Sequence, residues 1–196
     1  MREIDPFRII NCYYRPGSLV HHILVEHSKR VTELALQLAL HCPHLEIDRN
    51  FVYQAAMLHD IGIIYTDAPG IACYGREPYI RHGYLGARLL REDWGLEAHA
   101  RVCERHTGSG VSDAERLALR LPIPSNRSYL PETIEEQLIC YADSFYSKTH
   151  LGTRKKYETV RQKMESFWQL RAPHLGAEAL ARLDGMLQLF GDPDDI

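Results

Sequence analysis

A histidine and an aspartate, His59 and Asp60, stand side by side within the apolar run MLHDIGI at residues 57–63. Apolar residues before this run recur at helical spacing, which predicts a helix over residues 48–63 that includes the pair. We expect Gly62 to end that helix, because glycine accepts a left-handed turn. A buried imidazole and a buried carboxylate both need partners, and one cation would satisfy both. The simpler interpretation is a core histidine held by its neighbouring carboxylate.

Further ionisable residues fall on apolar helix faces or at helix ends elsewhere in the chain: His27, His82, His106 and Asp143. Each alone is compatible with a core residue that is hydrogen-bonded to a carbonyl or a neighbouring helix. Together with the pair they would bring ionisable groups from five helices into one small core, and such groups are costly to bury unless they are paired. Four imidazoles and two carboxylates form a ligand set suited to two cations such as iron, manganese or zinc. One carboxylate could bridge two ions about 3.5–4 Å apart.

The rest of the sequence predicts helices that would position these residues, and it shows no alternating strand pattern. Helix starts are indicated by capping side chains, two of them in capping boxes, namely Asp5, Ser18, Ser112 and Thr133. The predicted helices cover about residues 5–13, 19–42, 48–63, 82–95, 96–106, 112–120, 133–148, 154–171 and 177–190. Proline and glycine interrupt residues 65–81 and 121–131, which are predicted as loops. We therefore predict an all-α fold, a single-domain helical bundle over residues 1–196 with its core at about 18–150 and C-terminal helices at about 154–190 packed on it.

Composition limits the classes of function. The chain has 196 residues, 45% of them hydrophobic, and a formal net charge of −3 without a long run of one sign, which argues against a surface that binds nucleic acid polymers. No apolar stretch approaches the roughly 18 residues that span a bilayer, and the N-terminus lacks the apolar segment of a signal peptide. The five scattered cysteines form no Cys-x-x-Cys pair and indicate reduced thiols. We expect a cytoplasmic protein without a membrane partner.

The order of the candidate residues resembles the HD-domain superfamily, whose metal signature is a histidine, a His-Asp pair and a distant aspartate. In this chain those residues are His27, His59, Asp60 and Asp143. The run HDIG at residues 59–62 is similar to the variant that bears this name, and the resemblance spans about residues 20–150. Two additional histidines between the pair and the last aspartate are characteristic of dinuclear members, and His82 and His106 stand where they are expected.

The resemblance implies a metal-dependent phosphohydrolase, which cleaves a phosphoester or phosphoanhydride of a nucleotide-like or other small phosphorylated substrate by metal-bound hydroxide. Asp60 and His59 would be the catalytic residues, with Asp60 bridging two divalent or mixed-valence ions. Besides Asp60, one ion would be held by His27, His59 and Asp143, and the other ion by His82 and His106. Related HD enzymes split dinucleoside tetraphosphates or cyclic dinucleotides, but the Gly-Tyr-Pro element of the latter group is missing, since the HD pair is followed by the residues IGI.

Three basic residues are candidates for binding the substrate phosphate. Lys148 follows Asp143 on the same predicted helix, Arg81 stands beside His82, and Arg76 lies in the long loop, from which its planar guanidinium could close over a phosphate. The simpler interpretation of each is a solvated surface charge.

Three other functions remain open at the level of sequence. HD proteins that resemble myo-inositol oxygenase use the same ligands for mixed-valence di-iron, so an oxygenase is the nearest alternative. A non-catalytic regulatory module that binds nucleotides would be expected to lack one or more ligands. A purely structural zinc site is disfavoured, since such sites are closed, four-coordinate and often contain cysteine. Homodimerisation is also left open.

Overall fold

The structure is a computed structural model that describes residues 4–196. Its α-helices, in chain order, are α1 (Pro6–Tyr13), α2 (Leu19–His41), α3 (Arg49–Leu58), α4 (His82–Trp94), α5 (Glu97–Arg105), α6 (Asp113–Ala118), α7 (Ile134–Ser144), α8 (Tyr157–Arg171) and α9 (Pro173–Phe190). The predicted all-α fold is confirmed. The loop predicted at residues 65–81 contains two 3-10 turns, Pro69–Ile71 and Tyr79–Arg81, and an antiparallel hairpin of two-residue strands, β1 (Asp67–Ala68) and β2 (Cys73–Tyr74). Within residues 4–196, no helix combines the length and apolar character needed to cross a membrane.

The four helix starts predicted from capping side chains are confirmed, because each depends on local chemistry, whereas α8 and α9 begin at Tyr157 and Pro173 and not at about 154 and 177. The Asp5 carboxylate accepts from the Phe7 amide, and Ser18 Oγ accepts from the His21 amide. Both reciprocal hydrogen bonds of the capping box are present at the starts of α6 and α7. These bonds satisfy amide groups that have no partner within the first helical turn.

The predicted helix over residues 48–63 is wrong at its C-terminal end. α3 ends at Leu58, His59 is its C-cap, and the chain continues after Asp60 as a 3-10 helix over Ile61–Tyr65. Gly62 lies inside this 3-10 helix and is not among the glycines with a positive φ. It is required for another reason: a Cβ at this position would lie 2.1 Å from the carbonyl oxygen of His82, in the first turn of α4. Gly62 therefore permits close contact between the two elements.

Two apolar cores meet at the HD pair. The first contains the C-terminal half of α2, most of α3, α7 and α9, and the second contains α1, the N-terminal part of α2, the end of α3, α4 and α5. His27 lies on α2 between Val25, in the second core, and Val31, in the first. The pair follows Leu58, at the end of α3. The polar side chains are thus placed at the junction of the two cores.

Tyr14 fixes the turn that follows the pair. Its side chain is completely buried, its hydroxyl donates to the carbonyl oxygen of Ile61 at 2.7 Å, and it accepts from the amide of Ile64 at 3.1 Å. These two bonds satisfy backbone groups of the 3-10 helix and connect it to the segment that follows α1.

A candidate dinuclear metal centre

The structure brings the six predicted metal ligands together. They form two groups whose potential ligand atoms lie within 4.8 Å of one another: His27, His59, Asp60 and Asp143 in one group, and Asp60, His82 and His106 in the other. Asp60 belongs to both. The convergence unites residues from α2, α4, α7 and the ends of α3 and α5.

The first group is arranged around one oxygen of Asp60. Asp60 Oδ2 lies 3.1 Å from His27 Nε2 and 3.0 Å from His59 Nε2. Asp143 Oδ1 lies 2.9 Å from His27 Nε2 and 3.5 Å from His59 Nε2. Two imidazoles and two carboxylates therefore direct one ligand atom each toward a common position.

The second group faces the other oxygen of the same carboxylate. Asp60 Oδ1 lies 3.4 Å from His82 Nε2 and 3.5 Å from His106 Nε2, and the two imidazole nitrogens are 2.9 Å apart. Each oxygen of Asp60 thus serves a different group of histidines, as expected of a carboxylate that bridges two ions.

Backbone carbonyls fix the orientation of three imidazoles. The carbonyl oxygens lie three residues earlier in each case, with Nδ1 distances of 2.6 Å for His59 to Ala56, 2.7 Å for His82 to Tyr79 and 2.8 Å for His106 to Cys103. Because a carbonyl only accepts, Nδ1 must carry the proton in each ring. Nε2 of each ring therefore faces the centre, where it can bind a metal ion in place of a proton.

These atoms fit a metal better than they fit one another. Two neutral imidazoles that are both protonated at Nδ1 cannot form a hydrogen bond between their Nε2 atoms. The Nε2 atoms of His82 and His106 nevertheless lie 2.9 Å apart, and a shared cation would hold both of them. His27 Nε2, His59 Nε2 and Asp60 Oδ1 are buried without a hydrogen-bond partner in residues 4–196. Cations would satisfy all of these atoms.

The charges of the centre are strongly coupled. Burial raises the pKa of the Asp60 and Asp143 carboxyl groups, but Lys148 and the histidines lower it by more, so both remain well below their usual range. Burial lowers the pKa of His59, yet the same carboxylates raise it to about 10. Burial lowers the pKa of His82 to about 3, and its neighbour His106 adds to this effect, whereas Asp60 opposes it. The carboxylates therefore stay ionised, and His82 stays neutral and able to bind a metal.

Lys148 belongs to the centre, although its predicted position on a helix is wrong. α7 ends at Ser144, so Lys148 lies in the following loop. Its Nζ lies 2.5 Å from Asp60 Oδ2, and its side chain is 10% exposed. Burial lowers the pKa of Lys148, but Asp60 and Asp143 raise it by more, and the amine stays charged.

A cleft of about 390 Å³ leads to this lysine, and it is lined by residues 68, 70 and 71, Tyr79, and the segment 146–149. This volume lies within the range of small-molecule sites. The Tyr79 ring stacks on His82 with 4.6 Å between centroids and an interplanar angle of 21°. Two residues that line the cleft therefore contact the metal groups: Tyr79 contacts His82, and Lys148 contacts Asp60.

The two predicted arginines are not brought to the ligand atoms. Arg81 pairs with Glu77 at 2.6 Å, and its guanidinium lies over the Tyr84 ring. Arg76 is exposed in a surface groove between the 3-10 helix and α4, and no residue that lines this groove is a member of the metal groups. A role for either arginine in binding substrate remains a prediction that the geometry does not favour.

Other residues of the site were missed at the level of sequence. Ser147 and Thr149 flank Lys148 and line its cleft, and their polar run after Asp143 was the available signal. Tyr14 supports the centre from outside the predicted ligand pattern, and its position before α2 carries no signal of that role.

Comparisons with known proteins show the family of this chain. The sequence model of the family described as HD domain matches residues 24–147. An uncharacterised protein of Methanocaldococcus jannaschii is 35% identical over 145 residues, which are 72% of this chain and 75% of that protein. Two proteins named tRNA (cytidine(56)-2'-O)-methyltransferase are also similar. The one from Picrophilus torridus is 32% identical over 69% of this chain and 36% of its own length. The one from Thermoplasma volcanium is 36% identical over 63% of this chain and 32% of its own length.

The match covers only about a third of each of these methyltransferases. No solved structure shows a significant match. The family segment contains all six converging ligands, with Asp60 at their centre. The chain therefore belongs to the HD domain family, a superfamily of all-α, metal-dependent hydrolases.

Proposed function

We propose that this protein is a phosphohydrolase that cleaves a phosphoester or phosphoanhydride of a small phosphorylated substrate at a dinuclear metal centre. The observation that carries this proposal is the division of the ligands into two groups that share only Asp60, one group on each of its oxygens. A single structural ion would need only one of these groups.

The residues present fit two ions. His27, His59 and Asp143 would complete the ligands of one ion, His82 and His106 would hold the other, and Asp60 would bridge them. Bound ions of this kind activate water as a nucleophile near neutral pH and neutralise the charge that develops on phosphoryl oxygens. Iron, manganese and zinc all suit this mixture of imidazole and carboxylate ligands.

The protein's own contribution is to bind and orient the phosphate. Lys148 directs a charged amine into the centre at the end of the cleft, where it can donate hydrogen bonds to phosphate oxygens. The side chain of Asp143 is 17% exposed whereas that of Asp60 is completely buried, so we propose that substrate approaches from the side of Asp143. The carbonyl bonds to Nδ1 keep His59 and His82 in one orientation while substrate binds.

The names of the tRNA methyltransferases bear on the choice of substrates. The matched region is about a third of those proteins. We propose that the corresponding region of this chain catalyses hydrolysis, because its own ligands suit phosphoryl chemistry. Nucleotides derived from RNA, including ribose 2'- and 3'-monophosphates, therefore belong in a substrate screen beside dinucleoside polyphosphates.

The test combines metal analysis with phosphate release. Protein purified without chelator should contain about two metal ions per chain and should release phosphate from at least one substrate. The Asp60→Asn and His59→Ala variants should lose both metal and activity. The matched control is His99→Gln, because His99 is another buried histidine that lies outside both metal groups.

Two outcomes would overturn the proposal. Substrate-dependent oxygen consumption by iron-loaded protein, without phosphate release, would identify an oxygenase. Tight nucleotide binding by metal-loaded protein that releases no phosphate would identify a regulatory module.

A further inference from the structure

An apolar cavity of about 420 Å³ lies beside the metal centre, on the side of α8. One wall is formed by an apolar face of α8, whose side chains follow the spacing i, i+4, i+7 and i+8: Val160, Met164, Phe167 and Trp168. The opposite wall is formed by the loop 107–111, after α5, and by leucines that follow α6. A cavity of this size has room for roughly 14 water-sized groups at about 30 Å³ each.

The cavity is adjacent to the centre at three points. Three of its lining residues are close neighbours, along the chain, of metal-group residues: Thr107 follows His106, Ser144 follows Asp143, and Ile80 precedes His82 by two residues. Because consecutive Cα atoms are about 3.8 Å apart, the inner wall of the cavity lies within about two residues of both metal groups.

The polar atoms of the wall are largely occupied. Ser109 Oγ donates to the carbonyl oxygen of Ala179 at 2.8 Å, and Ser144 Oγ donates to that of Tyr141 at 2.7 Å. The carbonyl oxygens of Ser109 and Gly110 accept from Arg182 at 3.1 and 3.4 Å. A nucleobase placed here would leave its polar edges without partners, which is costly. A hydrocarbon group would incur no such cost.

Two lysines give the cavity a positive charge. Lys155 and Lys163 line it, and in the part of the chain that the structure describes neither forms a salt bridge. Burial lowers the pKa of Lys155, Lys163 and Lys148 lower it further, and Asp143 raises it. Lys155 is partly buried and has no salt-bridge partner within residues 4–196, so an anion in the cavity would stabilise its charge.

We propose that this cavity holds the hydrocarbon group of the substrate, which is then a phosphate ester of an alkyl or aryl alcohol. Its phosphate would lie at the metal centre near Lys148 and Lys155, and its hydrocarbon group would pack against Phe167 and Trp168. This inference rests on the proposed phosphohydrolase function and specifies its substrate class.

Binding can be measured without turnover. The chain contains two tryptophans, so a Trp94→Phe background leaves Trp168, in the cavity wall, as the only tryptophan reporter. The probes are n-alkyl phosphates from butyl to decyl, phenyl phosphate, glycerol 3-phosphate and inorganic phosphate, titrated in EDTA and again with metal. We expect the fluorescence of Trp168 to change on binding, and the affinity to increase about fourfold per methylene until the cavity is filled.

Matched variants separate the cavity from the rest of the surface. Phe167→Ala should weaken alkyl phosphate binding, whereas Leu170→Ala should not, because Leu170 is on the same helix, 81% exposed and outside the cavity. Lys155→Gln should weaken binding of every phosphate, and Lys156→Gln, at an exposed neighbouring position, should not.

The outcomes distinguish this inference from the proposed function. Affinity that is independent of chain length, or equal losses in Phe167→Ala and Leu170→Ala, would overturn the inference even if nucleotides were hydrolysed. Self-association that Phe167→Ala abolishes and alkyl phosphates leave unchanged would assign the cavity to a second copy and would also overturn it. Length-dependent binding with no phosphate release from any ester would support the cavity's specificity and would refute hydrolysis.

Discussion

Replacing Gly62 by alanine tests how the fold positions the centre. A Cβ at this position would lie 2.1 Å from the His82 carbonyl oxygen and 2.3 Å from the Gly86 amide nitrogen. Both are backbone atoms of α4, so no side-chain rotation can relieve the overlap. The 3-10 helix and α4 must therefore separate by about 1 Å or more to restore an ordinary contact.

The energetic cost follows from this geometry. Overpacking in a close-packed interior costs about 1–3 kcal/mol, and we expect the upper part of that range because the obstructing atoms belong to a helix backbone. For a chain of this length, about 3 kcal/mol corresponds to a melting temperature lower by about 6–12 °C. Because α4 carries His82, the 3.4 Å approach of its Nε2 to Asp60 would lengthen as well. Metal content should therefore fall from about two ions per chain to about one.

The assay is thermal unfolding followed by circular dichroism, together with metal analysis of the same samples. Gly185→Ala is the matched control, since Gly185 lies within α9 and a Cβ there would meet no heavy atom within 4 Å. That variant should be more stable than the natural sequence by about 0.5–1 kcal/mol. The reasoning would be refuted if the Gly62→Ala protein had the same melting temperature as the natural protein and retained both ions.

Three further predictions concern single side chains. Tyr14→Phe should lower the free energy of unfolding by about 1–3 kcal/mol, because two backbone groups of the turn lose their partner; an unchanged urea midpoint would contradict this. Burial lowers the pKa of His99 from 6.5 to about 4. As the pH falls, His99 is therefore protonated in the unfolded chain before it is protonated in the folded protein. This difference in pKa does not reduce stability above pH 6.5. As the pH falls toward 4, it should lower the free energy of unfolding by up to about 3 kcal/mol. His99→Phe should flatten that dependence in unfolding titrations between pH 4.5 and 7, and an equally steep curve would assign the loss to other groups. Lys148→Met should raise KM for phosphate esters about 10–100-fold and should leave the metal content unchanged. Loss of metal with an unchanged KM would instead show that the lysine acts only on Asp60.

The sequence predicted those features that depend on local chemistry or on a shared ligand. Helix starts such as those at Ser18 and Thr133 were correct because one side chain bonds to an amide two or three residues away. The metal groups were predicted because buried imidazoles and carboxylates on separate helices need a common partner.

The errors arose where distant contacts decide the conformation. Residues 61–63 are as apolar as the helix before them, so their pattern does not reveal that α3 ends at Leu58. The 3-10 helix packs at Gly62 directly against the backbone of α4, and this contact joins segments about twenty residues apart. Arg76 was predicted to bind substrate only because its guanidinium is charged. The charge of a loop residue does not specify where the side chain lies in the folded protein.

The hydroxyl of Tyr14 has a practical consequence for anyone who wishes to shorten this protein or graft its centre onto another scaffold. The family match begins at residue 24, ten positions beyond that tyrosine. A fragment trimmed to the match would keep every ligand and yet lose the bonds that stabilise the peptide groups just after the HD pair. The smallest transferable unit must therefore include α1, or a substitute that supplies one buried hydroxyl at the same place.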